Sequence, residues 1–215
     1  MEYVCRNPSG GERAVLGQIL ARPLLRRVRD FLVDRRVAIT CLTFVALGVG
    51  TLTLHFPQRH REDLFGAPGL AATVLVLCGA GVRSWAAGTL RKGIALTTTG
   101  PYCLCRHPLY VGTVLMMLGF FLLLFPAGWS WLGLLPIAII LLITLLREEE
   151  RLARRYGEAW AAYAARTPRF LPTRIAIPRG AWSFAQWRRS REYRALTTAL
   201  LALGGVLAWS ATHSS

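Results

Sequence analysis

The residues with the clearest chemical potential lie at the start of an apolar run. Arg106 and His107 directly precede Pro108, and proline fits the first turn of a helix because its missing N–H is not needed there. This order predicts a guanidinium and an imidazole beside the free amides of a helix start, which favours an anion. We therefore expect a carboxylate to bind here, and Gly112, one turn into the helix, to let a ligand approach the backbone.

Three consecutive glutamates, Glu148, Glu149 and Glu150, follow the next long apolar run. Helical spacing places their side chains in different directions. Glu149 shares its stripe with Leu152, Tyr156, Trp160 and Tyr163. We therefore expect Glu149 to point inward. Glu150 falls near Arg154 on another face, where a solvated salt bridge is expected, and Glu148 lies between the two.

The two stretches together predict the chemical features of one small ligand. An anion site and an inward carboxylate at the same membrane surface would bind a molecule with a carboxylate, an ammonium group and a large uncharged body. S-adenosylmethionine has these three features, so we expect it as the cofactor. The sequence shows no unambiguous general base, and His107 or Glu149 would serve only if the cofactor leaves it free.

The elements that must position these residues are membrane helices. The chain has 215 residues, of which 53% are hydrophobic and 17% charged, whereas soluble domains carry about 25% charged residues. The apolar residues gather into runs of roughly the 20 residues that a membrane helix needs. This pattern excludes a soluble globular enzyme and predicts an all-α polytopic membrane protein. Five crossings are expected, near residues 37–56, 67–90, 109–125, 129–146 and 195–212.

The chain divides into a basic arm, residues 1–36, and one membrane domain, residues 37–215. Apolar residues recur near helical spacing among the arginines of the arm. We expect an amphipathic helix in the headgroup plane, and the alternative is a lid over a lipid-facing site. Within the membrane domain, residues 97–112 and 147–172 are expected to form the cofactor pocket.

The net charge of +15 follows the expected topology. Under five crossings, 23 of the 26 basic residues lie on the side of the amino terminus. The positive-inside rule then places the amino terminus in the cytoplasm and the carboxyl terminus outside. Because the basic residues flank apolar runs and no nucleic-acid motif accompanies them, anionic headgroups are the expected partner and nucleic acid is not.

Three further residues are candidates for binding the substrate. Arg83 interrupts the second apolar run, and a charge there either faces a cavity or partner or extends to the nearby membrane surface. Trp182 and Trp187 lie among arginines, a pattern typical of the headgroup interface. They form either one wall of the substrate's entrance or a simple anchor. Cys103 and Cys105 have no second pair of metal ligands at a suitable spacing, so no metal site is predicted.

The paired motifs resemble those of a known group of enzymes. Their residues are Arg106-His107-Pro108-x-Tyr110-x-Gly112, then Glu148-Glu149-x-x-Leu152-x-x-x-Tyr156-Gly157, and Tyr163. They look like the isoprenylcysteine carboxyl methyltransferase and phospholipid methyltransferase group of integral membrane enzymes. The resemblance covers roughly Arg83 to Pro172.

This resemblance implies a reaction and a set of site residues. The reaction is methyl transfer from S-adenosylmethionine to a lipophilic or amphiphilic acceptor at the cytoplasmic membrane face. The implied cofactor-binding residues are Gly100, Pro101, Tyr102, His107, Pro108, Tyr110, Gly112, Glu148 and Glu149. Arg106, His107 and Glu149 are the expected catalytic residues.

The acceptor group stays open among a carboxylate, an amine and a thiol, and so does the oligomeric state. The alternative enzyme class is a membrane sterol or enone reductase that uses NADPH, because such enzymes are architecturally similar. A dinucleotide would need more basic or glycine-rich contacts around its diphosphate than residues 97–112 offer. A membrane scaffold without activity is a further alternative, but it would not explain why Arg106, His107 and Glu149 occur in this pattern.

Reporter fusions at the two termini test the expected topology. Five crossings and the distribution of basic residues predict that an amino-terminal reporter is cytoplasmic and a carboxyl-terminal reporter is outside. If both reporters are cytoplasmic, the final apolar run from Ala195 does not span and the number of crossings falls to four.

Overall fold

The computed structural model describes residues 42–43, 46, 64–91, 95–125, 129–172 and 182–212. Within these ranges the chain forms α-helices, two 3₁₀ turns and no strand, which confirms the all-α class there. The helices are α1 (Ala67–Thr89), α2 (Pro108–Leu124), α3 (Leu134–Tyr156), α4 (Glu158–Arg166), α5 (Phe184–Arg189) and α6 (Glu192–Thr212). The 3₁₀ turns are Gly100–Cys103 and Trp129–Gly133.

Helices α1 and α2 approach each other closely through two glycines. A Cβ on Gly79 would lie 2.6 Å from the carbonyl oxygen of Gly112, and a Cβ on Gly112 would lie 2.6 Å from that of Gly79. Real Cβ atoms do not come so near to backbone atoms, so only glycine permits this separation of the two helices. The close contact brings Arg83 of α1 alongside α2, where its Cγ would be 2.6 Å from the same Cβ on Gly112.

Helices α2 and α3 meet at the end where the chain passes from one to the other. Buried Phe121 and Phe125 pack there against Ile137. Toward its carboxyl end, α3 continues beyond the apolar run to Tyr156, and Gly157, at φ +50°, ends it. The expected stripe from Glu149 to Tyr163 is therefore not continuous, because Tyr163 lies on α4 after this break.

The segment from Trp182 onward packs against α1. The amide of Ser183 donates to the carbonyl of Gly88 at 3.0 Å, which fixes the start of α5 beside the end of α1. In α6, buried Leu203 joins Ala72 and Val76 of α1 in one apolar cluster. Helix α6 therefore packs along α1, from Glu192 beside Arg83 to Leu203 beside Ala72.

The expected crossings agree with the helices as far as the structure describes the chain. Among the described residues, two helices are long and apolar enough to cross a membrane, Ala67–Thr89 and Trp131–Tyr156, and the apolar helix Pro108–Leu124 is shorter. The run expected at 195–212 lies within α6. The arm at 1–36 and nearly all of the run at 37–56 lie outside the described residues, so five crossings and the amphipathic arm remain predictions.

Substituting alanine at two neighbouring glycines of α1 tests the contact between α1 and α2. Gly79→Ala should destabilise the protein by about 1 to 3 kcal/mol, because its Cβ must push the backbone of α2 away. Gly81→Ala is the matched control, since its Cβ meets nothing within 4 Å. Thermal unfolding of detergent-purified protein measures both, and equal melting temperatures for the two variants would contradict the close packing.

Candidate functional site

A cavity of about 680 Å³ opens among α1, α2, α3, α4 and the start of α6. Its volume lies within the range of small-molecule sites, roughly 300 to 1,000 Å³. The sequence-predicted residues that line it are Arg83, Tyr102, Arg106, His107, Tyr110 and Glu148. Further polar or charged lining residues include Arg91, Thr97, Thr113, Thr144, Arg147, Arg151, Tyr156, Tyr163, Ser190 and Glu192. The cavity therefore combines arginines, two carboxylates and several hydroxyl groups.

The start of α2 is held by the chain segment that follows α4. The amide of Arg106 donates to the carbonyl of Pro168 at 2.8 Å, and the amide of His107 donates to that of Arg169 at 3.3 Å. The amides of Arg106 and His107 are therefore paired within the protein, and in the first turn of α2 the amides of Tyr110 and Val111 donate to the carbonyl of His107.

Glu149 is the centre of a charge cluster with Arg106, His107 and Arg169. Its Oε1 accepts from Arg106 Nη1 at 2.9 Å and lies 3.1 Å from His107 Nε2. Its Oε2 accepts from Arg169 Nη2 at 2.8 Å. The Glu149 side chain is 12% exposed and faces Arg106 and His107, so its carboxylate points into the protein, although it does not line the cavity. The carboxylate joins α3 to the start of α2 and to the segment after α4.

Glu148, the preceding residue, lines the cavity itself. It lines the cavity together with Leu152 and Tyr156, which follow it at intervals of four residues. Residues spaced by four share a helix face, which explains the alignment. The Tyr110 hydroxyl donates to Glu148 Oε2 at 2.9 Å, so the carboxylate is held at the wall between α2 and α3.

His107 is buried, with 3% of its surface exposed. Burial lowers its pKa below the ordinary value, although hydrogen bonding to Glu149 acts in the opposite direction. The ring is therefore neutral at pH 7. Because an ionised carboxylate only accepts, Nε2 carries the proton toward Glu149, which leaves Nδ1 of the neutral ring as a hydrogen-bond acceptor.

The hydroxyl of Tyr102 is a buried polar group at the wall of the cavity. The residue is 7% exposed and lines the cavity, yet its hydroxyl has no hydrogen-bond partner among the described residues. Burial, and next the charge of Glu148, raise the Tyr102 pKa far above its usual value, so the group stays a neutral donor. Arg106 Nε is likewise buried without a partner in the described part of the chain. Buried polar atoms normally have partners, and both of these atoms belong to residues that line the cavity.

The chain is similar in sequence to a known family and to several known proteins. Residues 68–159 match the phospholipid methyltransferase family. The cobalt-zinc-cadmium resistance protein CzcN of Cupriavidus metallidurans is 38% identical over 167 residues, which cover 73% of this chain and 72% of that protein. The chain belongs to the phospholipid methyltransferase family. Membership confirms the resemblance seen in the two motifs and indicates a membrane methyltransferase.

Other relatives of this family member differ in how much they share with it. The nickel-cobalt-cadmium resistance protein NccN of Alcaligenes xylosoxydans xylosoxydans is 37% identical over 147 residues, 66% of this chain and 67% of that protein. The mouse Delta(14)-sterol reductase TM7SF2 is 36% identical over 87 residues, 37% of this chain and 20% of the reductase. No solved structure matches the chain.

A second cluster of polar side chains, formed by Arg83, Glu192 and Thr113, was not predicted from the sequence. Arg83 Nε donates to Glu192 Oε1 at 2.7 Å, Arg83 Nη2 donates to Glu192 Oε2 at 3.1 Å, and Nη1 donates to the Thr113 hydroxyl. Glu192 is 7% exposed and lines the cavity. Arg83 thus faces both a cavity and a partner. The alternative, in which its side chain extends to the membrane surface, does not apply. A charge within an apolar run was the only signal that a partner exists, and the family match ends before Glu192.

Four implied cofactor residues are buried but do not line the cavity: Gly100, Pro101, Pro108 and Gly112. Gly100 has φ +61°, which glycine adopts without strain, and a Cβ there would lie 2.7 Å from Thr89 Cγ2. Pro108 begins α2 as expected. Gly112 faces Gly79 and Arg83 of α1, so the space that was expected for a ligand there is taken by the neighbouring helix.

Trp182 and Trp187 do not line the cavity either. The indole N–H of Trp182 donates to the carbonyl of Ser84 at 3.2 Å, and its ring lies against Gly88. The Trp187 ring stacks on Phe184 with centroids 5.4 Å apart. The residues of this part of the chain that do reach the cavity are Ser190 and Glu192.

Neutralising Glu149 tests whether the charge cluster holds the site together. Glu149→Gln should lower the free energy of unfolding by about 1 to 3 kcal/mol, because Arg106 loses a charged partner in a largely buried place. Glu150→Gln is the matched control and should change it by less than about 0.5 kcal/mol, since Glu150 pairs with exposed Arg154 at the surface. Thermal unfolding compares the two variants, and equal losses would show that the cluster has no special structural role.

Proposed function

We propose that this membrane methyltransferase transfers a methyl group from S-adenosylmethionine to a lipophilic or amphiphilic acceptor at the cytoplasmic membrane face. The observation that carries the proposal is the cavity of about 680 Å³, whose lining includes Glu148, His107, Arg106 and Tyr102. Family membership supports methyl transfer, and the cavity supports a polar ligand of moderate size. The amino terminus is proposed to be cytoplasmic on the distribution of basic residues.

The lining residues fit the two charged ends of the cofactor. Glu148, held by Tyr110, is the carboxylate available to an ammonium group. The Nδ1 acceptor of neutral His107 could share the same group, while Arg106 and Tyr102 donate hydrogen bonds. Glu149 then acts through Arg106 and His107, whose positions it fixes, and does not itself contact the cofactor.

The chain's own contribution to such a reaction is chiefly positioning. S-adenosylmethionine would supply a methyl group bonded to a positively charged sulfur. An acceptor attacks the methyl carbon in line with that bond, and the sulfur leaves as a neutral thioether. The buried side chains of Tyr102 and His107 form part of the cavity wall and would fix the orientation of what binds there. A carboxylate acceptor needs no general base. An amine or thiol must lose a proton, and Nδ1 of His107 is the lining group suited to accept it.

A second enzyme class is supported by one of the comparisons. The 87-residue similarity to Delta(14)-sterol reductase favours a reductase that uses NADPH. Arginines from several elements line the cavity, including Arg91, Arg147 and Arg151, so more positive charge is available to a diphosphate than residues 97–112 alone supply. Calorimetric titration with S-adenosylmethionine and with NADPH distinguishes the two proposals. Binding of NADPH alone would favour the reductase.

Neither CzcN nor NccN carries a reaction in its name, so the acceptor has to be sought by experiment. Comparing the lipids and small metabolites of cells with and without the protein would show which molecule gains a methyl group. Isotope-labelled methionine in the medium marks the transferred methyl group. A labelled product that disappears with the gene would identify the acceptor as carboxylate, amine or thiol.

Two substitutions in the cavity wall test cofactor binding. Glu148→Gln should weaken S-adenosylmethionine binding by about tenfold to more than a hundredfold, because a charge-assisted hydrogen bond contributes about 1.5 to 3 kcal/mol. Tyr102→Phe should weaken it by about two- to tenfold, the range for a neutral hydrogen bond. Calorimetry measures both against Glu150→Gln, which should bind as the wild type does. Wild-type affinity in both cavity variants would refute the proposed site.

A further inference from the structure

One part of the cavity wall is a bidentate ion pair between Arg83 of α1 and Glu192 of α6. Arg83 Nε donates to Glu192 Oε1 at 2.7 Å, and Nη2 donates to Oε2 at 3.1 Å. Both residues line the cavity. Glu192 lies beyond residues 68–159, the region that matches the family. The function proposed above does not use this pair.

The guanidinium of Arg83 keeps two donors for a ligand. It has five N–H groups, of which two bind Glu192 and one binds the Thr113 hydroxyl. Thr113 donates its own proton to the carbonyl of Leu109 at 2.8 Å, so its oxygen is an acceptor for Arg83. The last two N–H groups, one on each terminal nitrogen, have no acceptor among the described residues. The Arg83 side chain is 22% exposed and lines the cavity, where a ligand can reach these donors.

The surrounding packing holds the Arg83 guanidinium in one place. Its stem lies against Gly112 of α2, where an added Cβ would come within 2.6 Å of Arg83 Cγ. Its head is bonded to α2 through Thr113 and to α6 through Glu192. A donor group held in this way loses little freedom when a ligand binds, which favours specific recognition.

The corner between α5 and α6 places Glu192 beside Arg83. Arg191 forms this corner with φ +56°, the only positive φ of a non-glycine residue in the described ranges. Such a conformation is costly and persists only where the surroundings fix it. On one side of Arg191, the Ser190 hydroxyl donates to the carbonyl of Ala87 on α1 at 3.4 Å. On the other side, Glu192 binds Arg83, so contacts with α1 hold both ends of the corner.

We propose that Arg83 and Glu192 form the site that binds an uncharged oxygen of the acceptor, such as a carbonyl or hydroxyl oxygen. This inference rests on the proposed function, because it assumes that an acceptor reacts in the same cavity. Arg83 donates the hydrogen bonds to this oxygen. Glu192 is a positioning residue that holds the guanidinium, and its negative charge disfavours a second anion there.

The charge of Glu192 is the reason for this choice of ligand. A guanidinium without a partner would prefer a carboxylate or phosphate, because such pairs are charged and bidentate. Here one carboxylate already neutralises Arg83 at 2.7 Å. A second anion on the same guanidinium would lie near the first, and like charges at close range repel strongly where water is partly excluded. A carbonyl or hydroxyl oxygen accepts the same hydrogen bonds without that cost.

Arg83 lies in the same cavity as the residues proposed for the cofactor but further along α2. Its partner Thr113 is six residues beyond His107, about 9 Å along the helix at about 1.5 Å per residue. The acceptor's oxygen and the cofactor would therefore occupy different stretches of one cavity.

Two matched probes, octanamide and octanoate, test the site in detergent-purified protein. They share one alkyl chain, and octanoate is charged at pH 7 because carboxyl groups titrate at about pH 4. Melting temperature as a function of probe concentration gives the dissociation constant of each. The double variant Arg83→Met, Glu192→Met is the baseline, since binding that remains in it lies elsewhere. Wild-type protein should bind octanamide at least about tenfold more tightly than this variant, the range for a hydrogen bond from a charged donor.

Glu192→Gln should remove the discrimination against an anion. Glutamine keeps one oxygen for Arg83 but has no negative charge. Octanoate should bind at least about tenfold more tightly than to wild-type protein, because a like charge no longer repels it. Octanamide affinity should change by less than about fivefold. Glu150→Gln, which removes the same charge from the surface, is the matched control and should change neither affinity. A gain in octanoate affinity cannot result from a damaged fold.

Two outcomes would overturn the inference. One is equal octanamide affinity in wild-type protein and the double variant, and the other is unchanged octanoate affinity in folded Glu192→Gln. The double variant should fold, because apolar residues often replace both members of a buried ion pair without loss of stability. If Glu192→Gln unfolds early, the octanamide comparison alone decides.

S-adenosylmethionine binding to wild-type protein, measured by calorimetry, tests the proposed function separately. The expected change in octanoate affinity without S-adenosylmethionine binding would refute the proposed function, and Arg83 would then bind an oxygen of the substrate of another reaction. S-adenosylmethionine binding without that change would refute the site at Arg83 and Glu192 alone.

Discussion

The carboxylate of Glu149 joins three parts of the chain that are far apart in sequence, and the form of the site depends on it. Its oxygens receive hydrogen bonds from Arg106 and His107 at the start of α2 and from Arg169 after α4. Such bonds are strong where water is partly excluded, and an unpaired charge there would be costly. Because His107 and Arg106 also line the cavity, the same carboxylate sets the position of two cavity side chains without entering the cavity itself.

Beside this cluster, Tyr110 lies between two environments of different polarity. On one side of Tyr110 lies a cavity with arginines and carboxylates, which suits a charged, water-soluble cofactor. On the other side lies an apolar cleft between α2 and α3. One tyrosine serves both, since its ring belongs to the apolar lining and its hydroxyl to Glu148. A charged reactant and an apolar one could thus meet without either crossing an unsuitable environment.

Local sequence predicted the elements better than it predicted their faces. The start of α2 at Pro108 and the positions of the apolar helices follow from proline chemistry and from hydrophobic runs. The sequence did not show that Glu148 rather than Glu149 lines the cavity, because spacings of three and of four residues both satisfy a helical stripe. Gly112 is a similar case. Its need for a small side chain was evident, but only the fold shows that the neighbour is α1 rather than a ligand.

The pair formed by Arg83 and Glu192 shows why the family motifs do not by themselves complete the site. The two residues are 109 positions apart, so no local pattern could connect them. Their bidentate contact places a buried carboxylate from α6 in a cavity whose other polar residues come mainly from the matched region at 68–159. This part of the cavity wall lies outside the region that matches the family, so the family motifs alone do not define the whole cavity.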